Sequence, residues 1–158
     1  MDKVDLAILR ELQHDGQLSL AELGKRVGLT AAPVQRRLRS LETAGWISRY
    51  VALIDPHRAR CAFEAFLEVE VSEEPRHTSA LFEETVIRLP EITECHRITG
   101  RNSYLLKVMT QDVAAFNTFY LEHVLKLPGI VRTKTQVSLS RVKYTTALPL
   151  GHSARELQ

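Results

Sequence analysis

The sequence predicts an α+β chain of two modules, an N-terminal winged helix-turn-helix and a C-terminal ferredoxin-like βαββαβ domain. Three observations carry this reading. Helical periodicity fills the first 45 residues and stops at turn signals. A strand–helix–strand pattern repeats at an offset of 38 residues through the remainder. Charge is divided between the two parts. The whole chain, 158 residues at net +2, leans away from nucleic acid on average. From Leu23 to Arg49, however, six bases face one acid, and from Glu64 to Glu94 nine acids face two bases. Opposite charge blocks in so short a chain point to modules with different partners.

The first helix is read from Val4, Ile8, Leu9 and Leu12, which fall on one helical face before the turn pair Asp15-Gly16. Ser19-Leu20-Ala21-Glu22 then reads as a capping box opening a second helix with Leu20, Leu23 and Val27 inward. Gly28 ends it, because glycine accepts the left-handed geometry of a C-terminal cap. A third helix follows at once, capped at Thr30 or Ala32, with Pro33 in its first turn and Gly45 closing it. Two helices so tightly joined, with small Gly24 where they approach, are a helix-turn-helix signature.

At about 100° per residue, Val34, Leu38 and Leu41 cluster within about 60° on the third helix. Ala32, Arg36, Arg39 and Thr43 point the other way, with Gln35 on one flank. Arg and Gln presented outward suit the major groove, where Arg pairs with guanine and Gln with adenine. The expected base readers are therefore Gln35, Arg36 and Arg39. Lys25, Arg26, Arg37 and Arg49 are expected at phosphates, and Thr30 completes the expected DNA-binding set. Arg37 projects toward the core flank, so it is expected either at a phosphate or in an internal ion pair. Residues 46–54 are β-rich and run into Asp55-Pro56; they read as a strand acting as wing or linker, with Trp46 in the core.

In the second module Val86–Ile92 reappears as Val124–Ile130, and Phe66–Ser72 as Tyr104–Thr110. The expected strands are 62–72, 92–99, 103–109 and 131–142, and the expected helices 78–89 and 113–125. Alternation in Leu67-Glu68-Val69-Glu70-Val71 buries one sheet face only. Helices on one side leave the second face open, and pairing with another copy would cover it. The resulting organisation is a helix-turn-helix domain over 1–45, a strand and hinge over 46–60, a ferredoxin-like domain over 61–148 and a tail over 149–158.

Other chemistry finds little support. The six histidines show no i, i+4 pairing and no cysteine spacing suited to zinc, so neither a metal nor another cofactor is expected. Cys95 and His96 are adjacent on a strand and point to opposite faces, which leaves no nucleophile–base pair and favours a buried thiol. No phosphate-binding glycine motif occurs. Two cysteines without CxxC spacing and no long apolar run lead us to expect a cytoplasmic chain with no membrane partner.

Together these residues resemble a known family. Leu23-Gly24-Lys25-Arg26-Val27-Gly28-Leu29-Thr30, Gly45-Trp46-Ile47, Glu94-Cys95-His96 and Leu127-Pro128-Gly129-Ile130 are similar to the Lrp/AsnC, or feast/famine, transcriptional regulators. The resemblance spans roughly residues 2–148 and implies a DNA-binding head joined to an amino-acid-sensing domain. It implies homodimers that assemble further, for example into octamers, on double-stranded DNA. It also implies an effector site between dimers around Gly100, Arg101, Asn102, Ser103 and Tyr104, with Gln136 and Ser138 nearby on the last strand. The family's usual loop is Gly-Asp-x-Asp-Tyr, whereas here Arg101 and Ser103 replace both acids. Arginine has donors only and favours a carboxylate. An unusual ligand, an acid-bearing ligand and no ligand all stay open, as does a plain hairpin turn. So do two alternatives for the whole chain: a DNA-compacting architectural protein without an effector, and a small ferredoxin-like enzyme.

Overall fold

The computed structural model describes residues 1–74, 77–100 and 102–150. They divide into two compact units, one of residues 1–53 with 143–150 and one of residues 54–142. No helix among the described residues is long and apolar enough to cross a membrane.

The first unit holds α1 (Lys3–His14), α2 (Leu20–Val27) and α3 (Ala31–Thr43). Ile8, Leu9, Leu23, Val34 and Leu41 form its core, at most 7% exposed. The reciprocal capping box lies on α1, where Asp2 accepts from the Val4 and Asp5 amides while Asp5 accepts from the Asp2 amide. The box expected at Ser19–Glu22 is only half present: Ser19 Oγ accepts from the Glu22 amide at 3.1 Å, with no return bond from Glu22. Gly28 is left-handed at φ +72°, as its place behind α2 requires.

Residues 46–54 form no strand, contrary to expectation. Among the described residues no segment pairs with them in a ladder, and Val51, Leu53 and Ile54 stand 61–72% exposed. Trp46 is also outside the core, at 51% exposure. Gly45, at φ +76°, turns the chain so that Ile47 packs against the head instead.

A second difference lies at the other end of the chain. Residues 143–148, assigned from sequence to the second module, belong with the head, where Leu150 packs against the helical core. Arg10 on α1 donates from Nε and Nη2 to the Leu150 carbonyl at 2.9 and 2.6 Å. Gln13 exchanges hydrogen bonds with both backbone groups of Leu148. The rest of the expected tail, 151–158, lies outside the described residues.

The second unit follows the expected order: β1 (Phe63–Val71), α4 (Thr78–Val86), β2 (Ile92–Ile98), β3 (Ser103–Thr110), α5 (Val113–Glu122) and β4 (Ile130–Val137). The antiparallel sheet runs β2-β3-β1-β4. Ala65, Leu67, Val69 and Val71 are buried with Phe82 of α4 and Phe116 and Phe119 of α5. β4 ends at Val137, short of the expected 142; just beyond it the Ser138 amide still donates to the Glu64 carbonyl at 2.9 Å, and β1 itself begins at Phe63. Cys95 is exposed, not buried, since β2 is the outermost strand. Glu64, the first of the nine acids between Glu64 and Glu94, is not a solvated charge. It is 9% exposed, with Arg141 at 2.5 Å and Lys107 at 3.8 Å compensating its charge.

Candidate nucleic-acid interface and ligand cleft

Between α2 and α3 only Gly28, Leu29 and Thr30 intervene, and the Leu29 amide donates to the Gly24 carbonyl at 2.8 Å. This tight turn places α3 against the head through Val34 and Leu41, which are 0% and 4% exposed. The opposite face of α3 presents Gln35, Arg36 and Arg39, all exposed and without an ion pair among the described residues. Ser40 shares that face, being one turn past Arg36, a position that the same angular arithmetic marks and the sequence reading passed over. Thr30 is the N-cap of α3 but makes no side-chain cap bond, so its hydroxyl is not spent on the helix. Lys25 is exposed in the last turn of α2, and Arg49 is exposed in the segment after α3.

Two of the expected DNA contacts also carry ion pairs within the head. Arg26 Nη1 lies 3.0 Å from Glu11 Oε2 of α1, and that bond holds its guanidinium above the ordinary arginine range. Arg37 Nη1 is 2.7 Å from both Asp5 Oδ1 and Asp2 Oδ2. Of its two expected roles, the internal ion pair is the one present. Hydrogen bonds to Asp5 and Asp2 raise its pKa in turn, while the Asp5 amide and Arg37 hold Asp2 below the usual carboxylate value. Contacts 32 and 35 residues apart leave no periodic trace.

In the second unit an open cleft of about 390 Å³ is lined by Glu73, Ser79, Arg97, Ile98, Gly100 and Asn102. Gly100 and Asn102 belong to the expected effector loop; Arg101 lies outside the described residues. Asn102 is left-handed at φ +42° and buried, and its side chain braces the turn. Its Nδ2 donates to the Val71 carbonyl at 2.9 Å and Ser79 Oγ at 2.8 Å, while its Oδ1 accepts from Arg97 Nη2 at 3.2 Å. The Arg97 guanidinium also stands 6.0 Å from the Tyr104 ring centroid.

Tyr104 is 1% exposed and donates to Glu83 Oε1 of α4 at 2.6 Å. Burial first, and then this bond, raise its pKa. Its hydroxyl thus serves the packing of α4 on the sheet. Ser103 is half-buried at the start of β3. Gln136 and Ser138 are not brought to this cleft within one chain. Gln136 pairs with Phe66, whereas Ser103 pairs with Glu70, four positions or about 13 Å along β1. Glu73, Ser79 and Arg97 were missed from sequence because the fold, not local spacing, gathers them.

Both units are similar to known proteins. The AsnC-type helix-turn-helix domain model matches residues 1–42, and the Lrp/AsnC ligand binding domain model matches residues 64–148. The leucine-responsive regulatory proteins of Klebsiella pneumoniae and Escherichia coli K12 are each 38% identical over 148 residues, 94% of this chain and 90% of theirs. A transcriptional regulator from Neisseria meningitidis, solved as an L-Met complex, is similar at TM-score 0.92 and 36% identity, covering 96% of this chain and 98% of that one. An AsnC family regulator from Agrobacterium tumefaciens gives TM-score 0.90 at 37% identity, covering 95% and 97%. The helix-turn-helix of α1–α3 and the ligand-binding sheet domain that follows it place this chain in the Lrp/AsnC family of DNA-binding transcriptional regulators.

Proposed function

We propose that this regulator binds double-stranded DNA in a sequence-specific manner, with Gln35, Arg36 and Arg39 reading base edges in the major groove. Lys25, Thr30 and Arg49 contact the backbone, while Arg26 and Arg37 serve the head internally. The observation that carries this reading is the division of basic residues. Those on the exposed face of α3 have no ion pair among the described residues, whereas the two beside α1 are paired. Such a partner puts the protein's work in the cytoplasm.

Selection of bound fragments from random DNA at physiological salt tests it. A recovered motif with dyad symmetry supports sequence-specific regulation. A featureless bound pool supports an architectural role instead.

A second copy covers the open sheet face, which carries half-buried Phe66, Leu105 and Met109, and dimers then assemble into a larger ring such as an octamer. Sedimentation equilibrium checks this, and a monomer at micromolar concentration would overturn it. The cleft at Gly100 takes a small amino acid or a related molecule, which shifts assembly and DNA binding. Support comes from the cleft's position in the matched ligand-binding domain and from the L-Met complex of the Neisseria regulator. Titration calorimetry with amino acids, L-methionine and L-leucine among them, decides whether one binds and which carboxylate or ammonium chemistry it needs.

A further inference from the structure

The two aspartates at the start of α1 form a closed ring with Arg37 of α3. Each carboxylate divides its oxygens between two tasks. Asp2 Oδ1 accepts from the Val4 and Asp5 amides, both at 2.9 Å, while its Oδ2 faces Arg37 Nη1 at 2.7 Å. Asp5 Oδ2 accepts from the Asp2 amide at 2.9 Å, while its Oδ1 faces the same Nη1 at 2.7 Å. Neither carboxylate can leave the arginine freely without disturbing the cap of α1. The Asp5 side chain is only 15% exposed, so the Asp5 end of the ring is covered, while Arg37 and Asp2 stand 32% and 52% exposed.

This ring sits beside the exposed face of α3. Arg37 immediately follows Arg36 on α3, so rotation of the helix that displaces one guanidinium also displaces the other. Among the described residues the other supports of α3 are apolar packing through Val34, Leu38 and Leu41 and one hydrogen bond near its end, from the Tyr50 hydroxyl to Glu42 Oε1 at 3.0 Å, and Thr30 supplies no side-chain cap. Apolar packing resists separation of helices more than it fixes their rotation, because it is non-directional. Two charge-assisted hydrogen bonds supply direction.

We propose that Asp2 and Asp5 are positioning residues for DNA recognition, clamping Arg37 so that α3 presents Gln35, Arg36 and Arg39 at a fixed rotation. The proposal rests on α3 being the base-reading helix. It carries a counterintuitive consequence. Coulomb's law alone says that removing acids from a DNA-binding head tightens its grip on phosphate. A clamp says that removing them weakens recognition.

The experiment measures affinity for a duplex recovered by selection and for a random-sequence duplex, each across a salt series. Asp5→Asn, Asp2→Asn/Asp5→Asn and Arg37→Ala are expected to lose about tenfold in affinity for the selected duplex. Affinity for the random duplex and the salt slope stay as in the unaltered protein. Adding the two aspartate changes to Arg37→Ala costs nothing more, because all three residues act through one ring. Arg37→Lys, which keeps a cation, restores part of the loss.

Circular dichroism melts run alongside, with binding measured below the melting range of every variant. The proposal is overturned if the acid variants bind both duplexes more tightly, or if Arg37→Ala lowers the salt slope by about one unit. It is equally overturned if the folded acid variants discriminate the two duplexes as well as the unaltered head does, which would leave the ring as a cap for α1 alone. Arg36→Ala serves as the separate check on α3: unchanged affinity for the selected duplex removes the base-reading assignment whatever the clamp variants show.

Discussion

A Cβ placed on Gly24 would stand 2.5 Å from the carbonyl oxygen of Leu29, the residue whose amide already donates to the Gly24 carbonyl at 2.8 Å. The turn between α2 and α3 therefore closes against a bare backbone. Gly24→Ala forces the two helices apart at a buried position, and we expect it to cost roughly 1–3 kcal/mol of head stability. Urea denaturation followed by helical ellipticity measures this. A loss under about 0.5 kcal/mol would mean that the Leu29 carbonyl moves aside freely.

Arg36→Ala and Lys25→Ala are expected to differ in kind. If Arg36 pairs with a base, its loss costs about 1–3 kcal/mol on the selected duplex and relaxes preference at one position. Lys25→Ala weakens binding to all sequences alike and reduces the salt slope by about one unit. Equilibrium binding at several salt concentrations separates the two, and a uniform loss from Arg36→Ala would reassign it to phosphate.

The segment 143–150 belongs to the first unit and docks on α1 through Arg10 and Gln13. Ending the chain after Val142 exposes the part of the helical core that Leu150 covers. Burial of a leucine and loss of its hydrogen bonds together put the cost at roughly 1–3 kcal/mol. Hydrogen exchange should show faster amides on α1. Unchanged protection there would mean that the segment merely rests on the helix.

Asp2 is expected to titrate below its ordinary value of 3.8, chiefly because the Asp5 amide and Arg37 favour its ionised form. A folded pKa lower than the unfolded one means that its stabilisation is present above the unfolded value and is lost as pH falls through the folded value. The amide resonances of Val4 and Asp5 should follow that acid-side midpoint in an NMR titration and lose it in Asp2→Asn. A midpoint at or above the ordinary value would show that the ring does not hold in solution.

The parts of this molecule that were readable beforehand share one physical property: their signals are local. Apolar spacing at Ile8, Leu9 and Leu12, the left-handed glycine at position 28 and the alternation from Leu67 to Val71 each arise within a few residues. The offset of 38 made the sheet domain legible for the same reason, since each half carries its own strand and helix signals. The exposed side of α3 followed from helical geometry alone, and so did the inward turn of Arg37.

The sequence by itself thus determined the three head helices, the order of strands and helices in the sheet domain and the face of α3 that carries Gln35, Arg36 and Arg39. Only the tertiary structure decided which charges are spent inside. It gave Arg37 to Asp2 and Asp5, Arg26 to Glu11 and Glu64 to Arg141 and Lys107. It returned residues 143–150 to the head, and it separated Gln136 from the Gly100 cleft along the strands. Pairings between residues far apart in the chain depend on which surfaces meet after folding, and a one-dimensional period holds no record of that.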